Sequence, residues 1–237
     1  FDKNLKKYSK WLQPFVNNPI RYNINKQNFR SKFDFKPDKD LDVDLYLGCS
    51  HTFGVGMYEE YIWPKLVSKA TGNTMINLGC SGHGISMSYI NLKKYIDYYN
   101  VKNVFCYQPF YGRYQVRNNG KFDMFSFDTP AHLHKIFHPF YVKDELSGYG
   151  SITNDVIKHV EAIEGVCRRK GVNFYYLCRW PEFQYTIFHF EDGTYMKDDI
   201  PARDLIHHSK HMYQELADRF INVYNKTDYY VGFKLDK

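Results

Sequence analysis

Three short clusters of residues have the types and the spacing that acyl-transfer chemistry needs. The first is Gly48-Cys49-Ser50, which directly follows an apolar run. The second is Asn77-Leu78-Gly79, which opens a stretch with three glycines in six residues. The third is Asp204-Leu205-Ile206-His207. A serine hydroxyl, backbone N–H groups at glycine-rich turns and a carboxylate-oriented imidazole are together the parts of a serine nucleophile site.

The three clusters predict a role for each residue. Ser50 is the candidate nucleophile, and its backbone N–H, near a helix N-terminus, is a candidate oxyanion donor with that of Gly79. Asp204 is spaced to orient the His207 ring, which as a neutral imidazole can take the hydroxyl proton. Each cluster alone also has a structural explanation, since Ser50 could cap a helix and the glycines could form a plain turn.

An alternation of strand-like and helix-like segments determines where these clusters lie. Strand-like runs cover residues 44–48, 74–79, 103–107 and 172–178, and helical faces cover 63–70, 85–99, 156–167 and 212–220. Gly72 and Gly171 are the predicted helix stops. This alternation predicts a mainly parallel sheet with helices on both faces. The clusters fall at the carboxyl ends of the strands, where such sheets bind ligands.

Two segments stand outside the alternation. Residues 1–40 lack a strong period and are predicted to form a basic N-terminal arm, with residues 41–237 as the main domain. Residues 109–150 interrupt the rhythm with many aromatic residues and with His132, His134 and His138. We expect an insertion or lid there, after the third strand.

The positive charge is concentrated in the arm. The chain carries a net charge of +6, whereas residues 1–36 contain nine Lys or Arg and two Asp, a local balance of +7. Such an arm could bind an acidic partner, for instance nucleic acid, an acidic polymer or an acidic protein surface. The favoured interpretation is a solvated arm that packs its aromatic residues on the domain.

The order and context of the three clusters resemble the SGNH (GDSL-type) hydrolase family. Gly48-Cys49-Ser50 matches its first block, Asn77-x-Gly79 its second and Asp204-x-x-His207 its last, over roughly residues 42–220. The resemblance implies a three-layer, flavodoxin-like α/β fold and ester hydrolysis by a Ser50–His207–Asp204 triad, with neither metal nor organic cofactor. Residues 47–84 also resemble bacteriophage-encoded SGNH-type proteins, which often carry Gly-Cys-Ser.

Two departures from the family pattern concern the oxyanion site. Cys49 stands where the family has Asp, and Gln108-Pro109-Phe110 replaces the Gly-x-Asn-Asp block expected after the third strand. In the family that Asn is a third oxyanion donor, and losing one such donor costs roughly 100- to 1000-fold in rate. Gln108 and then Arg113 are the candidate substitutes. Asn154 lies in a Thr-Asn-Asp run that begins a helical pattern, so it is predicted to be an N-cap.

Two functions fit the sequence, and a third is weaker. The first is a serine esterase for a small ester or an acetylated glycan. The second is a binding or structural module on the same scaffold, for example a virion or glycan-binding protein, since fold does not fix function. The third is a zinc site formed by His207, His208 and His211, of which His207 and His211 are four apart and would share a helical face. No Glu follows the first of them in the metalloprotease pattern, so no metal is expected.

The remaining signals concern cysteines and compartment. Cys49, Cys80, Cys106 and Cys178 lie at or near the ends of strand-like runs, which predicts buried thiols and no disulfide framework. No apolar stretch approaches the ~20 residues of a membrane span. No signal peptide is visible, and a cytoplasmic or a virion-associated protein fits these observations.

Overall fold

The computed structural model of the protein describes residues 9–109, 113–118, 121–126, 151–177, 202–203 and 207–226. The strands are β1 (Asp38–Leu47), β2 (Thr74–Asn77), β3 (Tyr99–Tyr107), β4 (Arg113–Asn118), β5 (Lys121–Ser126) and β6 (Asn173–Leu177). The α-helices are α1 (Ser9–Asn17), α2 (Ser50–Phe53), α3 (Trp63–Thr71), α4 (Ile85–Tyr95), α5 (Ser151–Lys170) and α6 (Lys210–Asn225), with a 3-10 turn at Glu59–Tyr61.

Four of the strands form one parallel sheet in the order β2-β1-β3-β6. Leu45 on β1 lies opposite Ile76 on β2 and Val104 on β3, and Phe105 on β3 lies opposite Tyr175 on β6. The strand order is that of a flavodoxin-like sheet, in which the second strand lies outside the first. Strands β4 and β5, which lie within the predicted insertion, form a separate antiparallel pair.

The alternation of side chains along the strands divides the core into two layers. Leu45 and Val104 face one layer, in which α4 and α5 contribute apolar residues such as Leu92 and Ile163. The other layer lies against α3 and α6, and its strand residues include Tyr46, Phe105 and Tyr175. Because successive residues of a strand point to opposite faces, one sheet buries both layers. The predicted three-layer α/β architecture with a parallel sheet is confirmed.

Aromatic rings account for much of the second layer. The rings of Tyr46 and Phe105 stack at 5.3 Å between centroids, and Phe105 stacks on Tyr175 at 4.9 Å. Trp63 of α3 stacks on Phe220 of α6 at 4.6 Å. Aromatic pairs in such geometries contribute about 0.5–1.5 kcal/mol beyond their buried area. Part of the high aromatic content of the chain therefore stabilises this face of the sheet.

Several element boundaries differ from the expectation. Strand β1 begins at Asp38, six residues early, because its exposed first half pairs with Tyr99 and Asn100 although it has no apolar pattern. Tyr99 was assigned to a helix face, but α4 ends at Tyr95 and Tyr99 starts β3. Its helical spacing was coincidental. Gly72 and Gly171 do follow helices with positive φ, as predicted.

The N-terminal segment packs on the domain through its aromatic side chains. Phe29 and Phe35 stack on each other at 5.4 Å and both contact the ring of Tyr95 in α4. Four basic residues of this segment, Arg21, Lys26, Lys32 and Lys36, are exposed, whereas Arg30 is buried. An acidic partner for the exposed residues stays a prediction.

Helix α5 corrects one further expectation. It spans 20 residues from Ser151 to Lys170, so Asn154 lies in its first turn and is not the N-cap. The predicted start at Asn154 was therefore three residues too late. None of the helices in the described part of the chain has the length and apolar character needed to cross a bilayer.

A buried carboxylate lies in the middle of the sheet. Asp44 of β1 is fully buried and accepts hydrogen bonds from Thr71 Oγ1 at 2.6 Å, Asn103 Nδ2 at 2.7 Å and Asn73 Nδ2 at 3.0 Å. Burial raises the pKa of the Asp44 carboxyl above its ordinary value, and these hydrogen bonds offset the shift only in part. The folded protein therefore holds this proton more tightly than the unfolded chain does.

Replacing Asp44 by Asn should change how stability depends on pH. Because the folded-state pKa is raised, the stability gained from the protonated carboxyl is fully present below the ordinary value of 3.8 and is lost as pH rises through the folded pKa. Denaturant unfolding from about pH 4 upward should show wild type losing free energy of unfolding relative to Asp44→Asn. Asn73→Ala keeps the carboxyl and should keep the trend. Parallel curves for wild type and Asp44→Asn would contradict the prediction.

Candidate active site

A glycine ends β1 because no other residue fits there. Gly48 has φ of 148°, and a Cβ at this position would lie 2.1 Å from Thr52 Oγ1 and 2.7 Å from the carbonyl oxygen of Tyr107. The backbone therefore turns sharply between β1 and α2, against the end of β3. This turn places Ser50 at the carboxyl edge of the sheet, as the sequence predicted.

Ser50 is the first residue of α2 and not its cap. The N-cap is Cys49, which makes no side-chain capping bond, so the alternative of a capping Ser50 does not apply. Ser50 is 3% exposed, and its hydroxyl makes a long contact of 3.9 Å with Cys49 Sγ. Among the described residues, no hydrogen bond uses the Ser50 N–H, as expected at a helix start. Neither the hydroxyl nor the N–H of Ser50 therefore makes a strong hydrogen bond within the described residues.

The Gly79 turn lies directly against α2. A Cβ on Gly79 would be 2.4 Å from Phe53 N and 2.8 Å from Thr52 C, so only glycine allows this approach. Asn77 bridges the two turns, because its Nδ2 donates to the Thr52 carbonyl at 2.8 Å and its Oδ1 accepts from Gly79 N–H at 2.9 Å. The N–H that the sequence assigns to the oxyanion thus already has an acceptor.

Gln108 follows β3 at the same edge. Its backbone N–H donates to the Leu177 carbonyl of β6 at 3.0 Å, and its side-chain Oε1 accepts a hydrogen bond from the Tyr176 hydroxyl. Among the described residues no hydrogen bond uses its Nε2. Residue 108 is two positions beyond Cys106, which pairs with Leu47, so it continues the register beside the Ser50 turn. Gln108 therefore offers an oriented amide donor at the edge.

The residues that precede α6, of which 202–203 and 207–209 are described and which we call the histidine segment, contact the residues that follow Ser50. We call residues 50–57 the Ser50 loop. The N–H of Arg203 donates to the Gly56 carbonyl at 2.8 Å, and the rings of His207 and His51 lie 5.1 Å apart. The structure thus brings His207 beside the loop. Among the described residues, no hydrogen bond joins the Ser50 hydroxyl to His207.

His208 is the more deeply packed of the two adjacent histidines. It is 2% exposed, stacks on the ring of His51 at 3.9 Å and has its Nε2 3.4 Å from the Tyr107 hydroxyl. His207 is only half-buried. The sequence pattern offers His208 only as a candidate zinc ligand and gives His51 no role, because the stack between the two rings forms only when distant parts of the chain meet.

The zinc hypothesis placed His207 and His211 on one helix, but the helix begins after His207. Helix α6 begins at Lys210, and Ser209 is its N-cap, with Oγ accepting from Met212 N at 3.4 Å. His207 therefore precedes the helix and does not share a helical face with His211. No group of three or more metal-ligating side chains occurs within the portion of the chain that the structure describes.

Some predicted site residues lie outside the described residues. Asp204 is among them, as are His132, His134 and His138 and most of the 109–150 insertion. Arg113 begins β4, and its side chain is not described. The roles assigned to these residues stay predictions.

The described cysteines are free thiols, and burial raises the pKa of three of them, Cys80, Cys106 and Cys167. Cys49, Cys80, Cys106 and Cys167 form no disulfide, and Cys178 lies outside the described residues. Burial raises the pKa of Cys80, with partial relief from the Asn91 amide, and raises that of Cys167 to about 12. A neutral thiol is a weak nucleophile, so burial makes Cys80 and Cys167 poor candidates for nucleophilic chemistry.

Comparisons with known proteins add a fold-level likeness. No family model and no curated protein sequence matches the chain. Among solved structures, it is similar to a protein of the G-D-S-L family, assigned as lipolytic, from Desulfitobacterium hafniense DCB-2. The identity is 14% and the TM-score 0.34, with 76% of this chain and 97% of that chain covered. At these values the site must be judged from its own residues.

Gly79→Ala should destabilise the protein, because the added methyl group meets backbone atoms that cannot move independently. We expect the free energy of unfolding to fall by about 1–3 kcal/mol in denaturant titrations. Gly165→Ala is the matched control, since it lies within α5 and its Cβ would meet only the Arg169 side chain at 3.4 Å. That variant should be neutral or more stable, by up to about 1 kcal/mol. Equal effects at both glycines would contradict the proposed close approach.

Proposed function

We propose that the protein is a serine ester hydrolase in which Ser50 is the nucleophile, His207 the general base and Asp204 the residue that orients the base. One observation carries the proposal: the Ser50 loop and the histidine segment meet at the carboxyl edge of the sheet, with the His51 and His207 rings 5.1 Å apart. Asp204 enters through its spacing from His207.

The proposed reaction has two acyl-transfer steps. The Ser50 Oγ attacks the acyl carbon of the ester while His207 accepts the hydroxyl proton. The tetrahedral intermediate collapses as His207 passes that proton to the leaving alcohol, which leaves an acyl group on Ser50. Water, deprotonated by His207, then attacks the acyl carbon, the bond from that carbon to Ser50 Oγ breaks, and His207 returns the proton to Ser50 Oγ as the carboxylic acid leaves. Asp204 holds the imidazole in the tautomer that makes both transfers.

Two donors are ready to stabilise the tetrahedral oxyanion. The Ser50 N–H and the Gln108 Nε2 have no hydrogen-bond acceptor among the described residues. The Gly79 N–H donates to Asn77 Oδ1 at 2.9 Å, so it contributes by sharing its hydrogen between that oxygen and the oxyanion. Gln108 thereby takes the place of the Asn that the family pattern has after the third strand.

The surroundings of Ser50 favour a small acyl group on a larger alcohol. Ser50 is 3% exposed and Cys49 is fully buried, so there is little space beside Ser50 for the acyl group of a substrate. The insertion that starts at residue 109 leaves the sheet from the same edge and is rich in Phe and Tyr. Aromatic rings of this kind stack on sugars, and we therefore propose an O-acetylated glycan as the substrate class.

One observation favours a second candidate function. No hydrogen bond joins the Ser50 hydroxyl to His207 within the described residues, which favours a site without catalysis. The hydrolase remains compatible with this geometry because catalytic hydrogen bonds are often long before substrate binds. A binding or structural module on the same scaffold, for instance one that holds a glycan on a virion, would leave Ser50 unactivated. Reactivity of Ser50 distinguishes this module from the hydrolase.

Ser50→Ala should abolish both turnover of p-nitrophenyl acetate and labelling by a fluorophosphonate probe. Without the hydroxyl no acyl-enzyme forms, so kcat should fall by roughly 10³-fold or more. Ser81→Ala is the matched control, because Ser81 is an exposed serine in the neighbouring glycine-rich turn. It should retain both activities. Failure of the wild-type protein to label would favour the binding module.

His207→Ala and His208→Ala should separate catalysis from packing. Loss of the base should lower kcat by roughly 10²- to 10⁴-fold with little change in melting temperature. Loss of the buried His208 ring should mainly lower the melting temperature, because the stack on His51 disappears. Probe labelling and thermal unfolding, measured on both variants, test this assignment. A reversed pattern would make His208 the base.

A further inference from the structure

We propose that Arg30, from the N-terminal segment, is a positioning residue that fixes the Ser50 loop for catalysis, an inference that rests on the proposed role of Ser50. The sequence alone does not distinguish Arg30 from the other basic residues of the N-terminal segment. The case depends on where its guanidinium group is buried and on which atoms it binds.

The guanidinium group binds the Ser50 loop at three carbonyl oxygens. Arg30 is 2% exposed, and its Nη1 donates to the carbonyls of Gly54 at 2.6 Å and Phe53 at 3.2 Å. Its Nη2 donates to the carbonyl of Met57 at 2.9 Å. Helix α2 has only four residues, so carbonyls at its end lack further helical donors. The planar fork of an arginine supplies these donors from one rigid group.

The loop carbonyls are the hydrogen-bond acceptors of the cation among the described residues, and the carboxylates of Glu59 and Glu60 act on it only at longer range. A buried cation without such ligands would be strongly disfavoured. Its planar face lies on the Tyr22 ring, 4.7 Å from the centroid, and the Tyr22 hydroxyl accepts a hydrogen bond from Gly56 N–H at 2.8 Å. The N-terminal segment thus contacts the loop through two side chains that support each other.

The same loop carries the connection to the histidine segment. The Gly56 carbonyl accepts the N–H of Arg203 at 2.8 Å, and His207 follows four residues later. Gly56 therefore lies between Tyr22 on one side and Arg203 on the other. A change in the loop that follows loss of Arg30 would alter the distance between Ser50 and its base, in addition to the direction of the Ser50 N–H.

The closing experiment compares Arg30→Lys and Arg30→Met with Phe35→Leu. Phe35 belongs to the same N-terminal segment but packs in the other core layer, on Phe29 and Tyr95. The Phe35→Leu substitution should therefore lower stability without changing any contact of the Ser50 loop. Three quantities are measured on each full-length variant: kcat and KM for the ester, the melting temperature, and hydrogen exchange of the amides of residues 54–57.

Arg30→Met should lower kcat by roughly 10- to 100-fold, the scale expected for small misplacement of a reacting group, with KM nearly unchanged. Arg30→Lys should recover part of the loss, because it keeps the charge but cannot bind three carbonyls in a fork. Phe35→Leu should lower the melting temperature and leave kcat unchanged. Exchange of the loop amides should rise in the Arg30 variants only.

Each outcome decides the inference separately from the proposed function. Equal kcat in Arg30→Met and Phe35→Leu, at matched loss of stability, overturns the positioning role. If the wild type shows no Ser50-dependent turnover, the proposed function fails and loop exchange alone decides. Faster exchange in Arg30→Met than in Phe35→Leu then still supports Arg30 as the residue that fixes the loop, and equal exchange overturns it.

Discussion

The approach of two backbone turns, with no space for a side chain between them, constrains everything at the carboxyl edge of this sheet. Gly79 lies so close to Thr52 and Phe53 that a single Cβ would overlap the backbone of α2. A Cβ on Gly48 would likewise overlap the side chain of Thr52 and the backbone at the end of β3. Close-packed backbone groups of this kind need hydrogen-bond partners, because water cannot reach them. The polar side chains around the site supply those partners.

Asn77 and Arg30 supply these hydrogen-bond partners at different parts of the Ser50 loop. Asn77 satisfies one carbonyl at Thr52 and one N–H at Gly79, while Arg30 satisfies carbonyls at the far end of α2. Asn77 lies at the end of β2, and Arg30 comes from the segment that precedes the sheet. A loop held at both ends can keep Ser50 in one orientation although α2 is a single turn long.

The sequence predicted the elements whose signal is local. The end of β3 from Val104 to Cys106 forms a continuous apolar run because both of its faces are buried, and the Ser50 and Gly79 motifs follow the ends of β1 and β2. The first half of β1 was missed because its residues are mostly exposed and only pairing with β3 makes them a strand. Arg30 was missed because its acceptors lie 23 to 27 positions away, a contact that no local pattern encodes.

Under the proposed mechanism, the same close approach explains why the oxyanion donors would differ from those of the SGNH pattern that the sequence resembles. The bond from Gly79 N–H to Asn77 Oδ1 builds the turn, so it occupies the donor that a tetrahedral oxyanion would use. The Ser50 N–H keeps no such partner, and the Tyr176 hydroxyl fixes the oxygen end of the Gln108 amide and leaves its nitrogen end to donate. In the proposed hydrolase, stability of the turn and stabilisation of the transition state would compete for the Gly79 N–H, and the Gln108 amide at the end of β3 would relieve that competition.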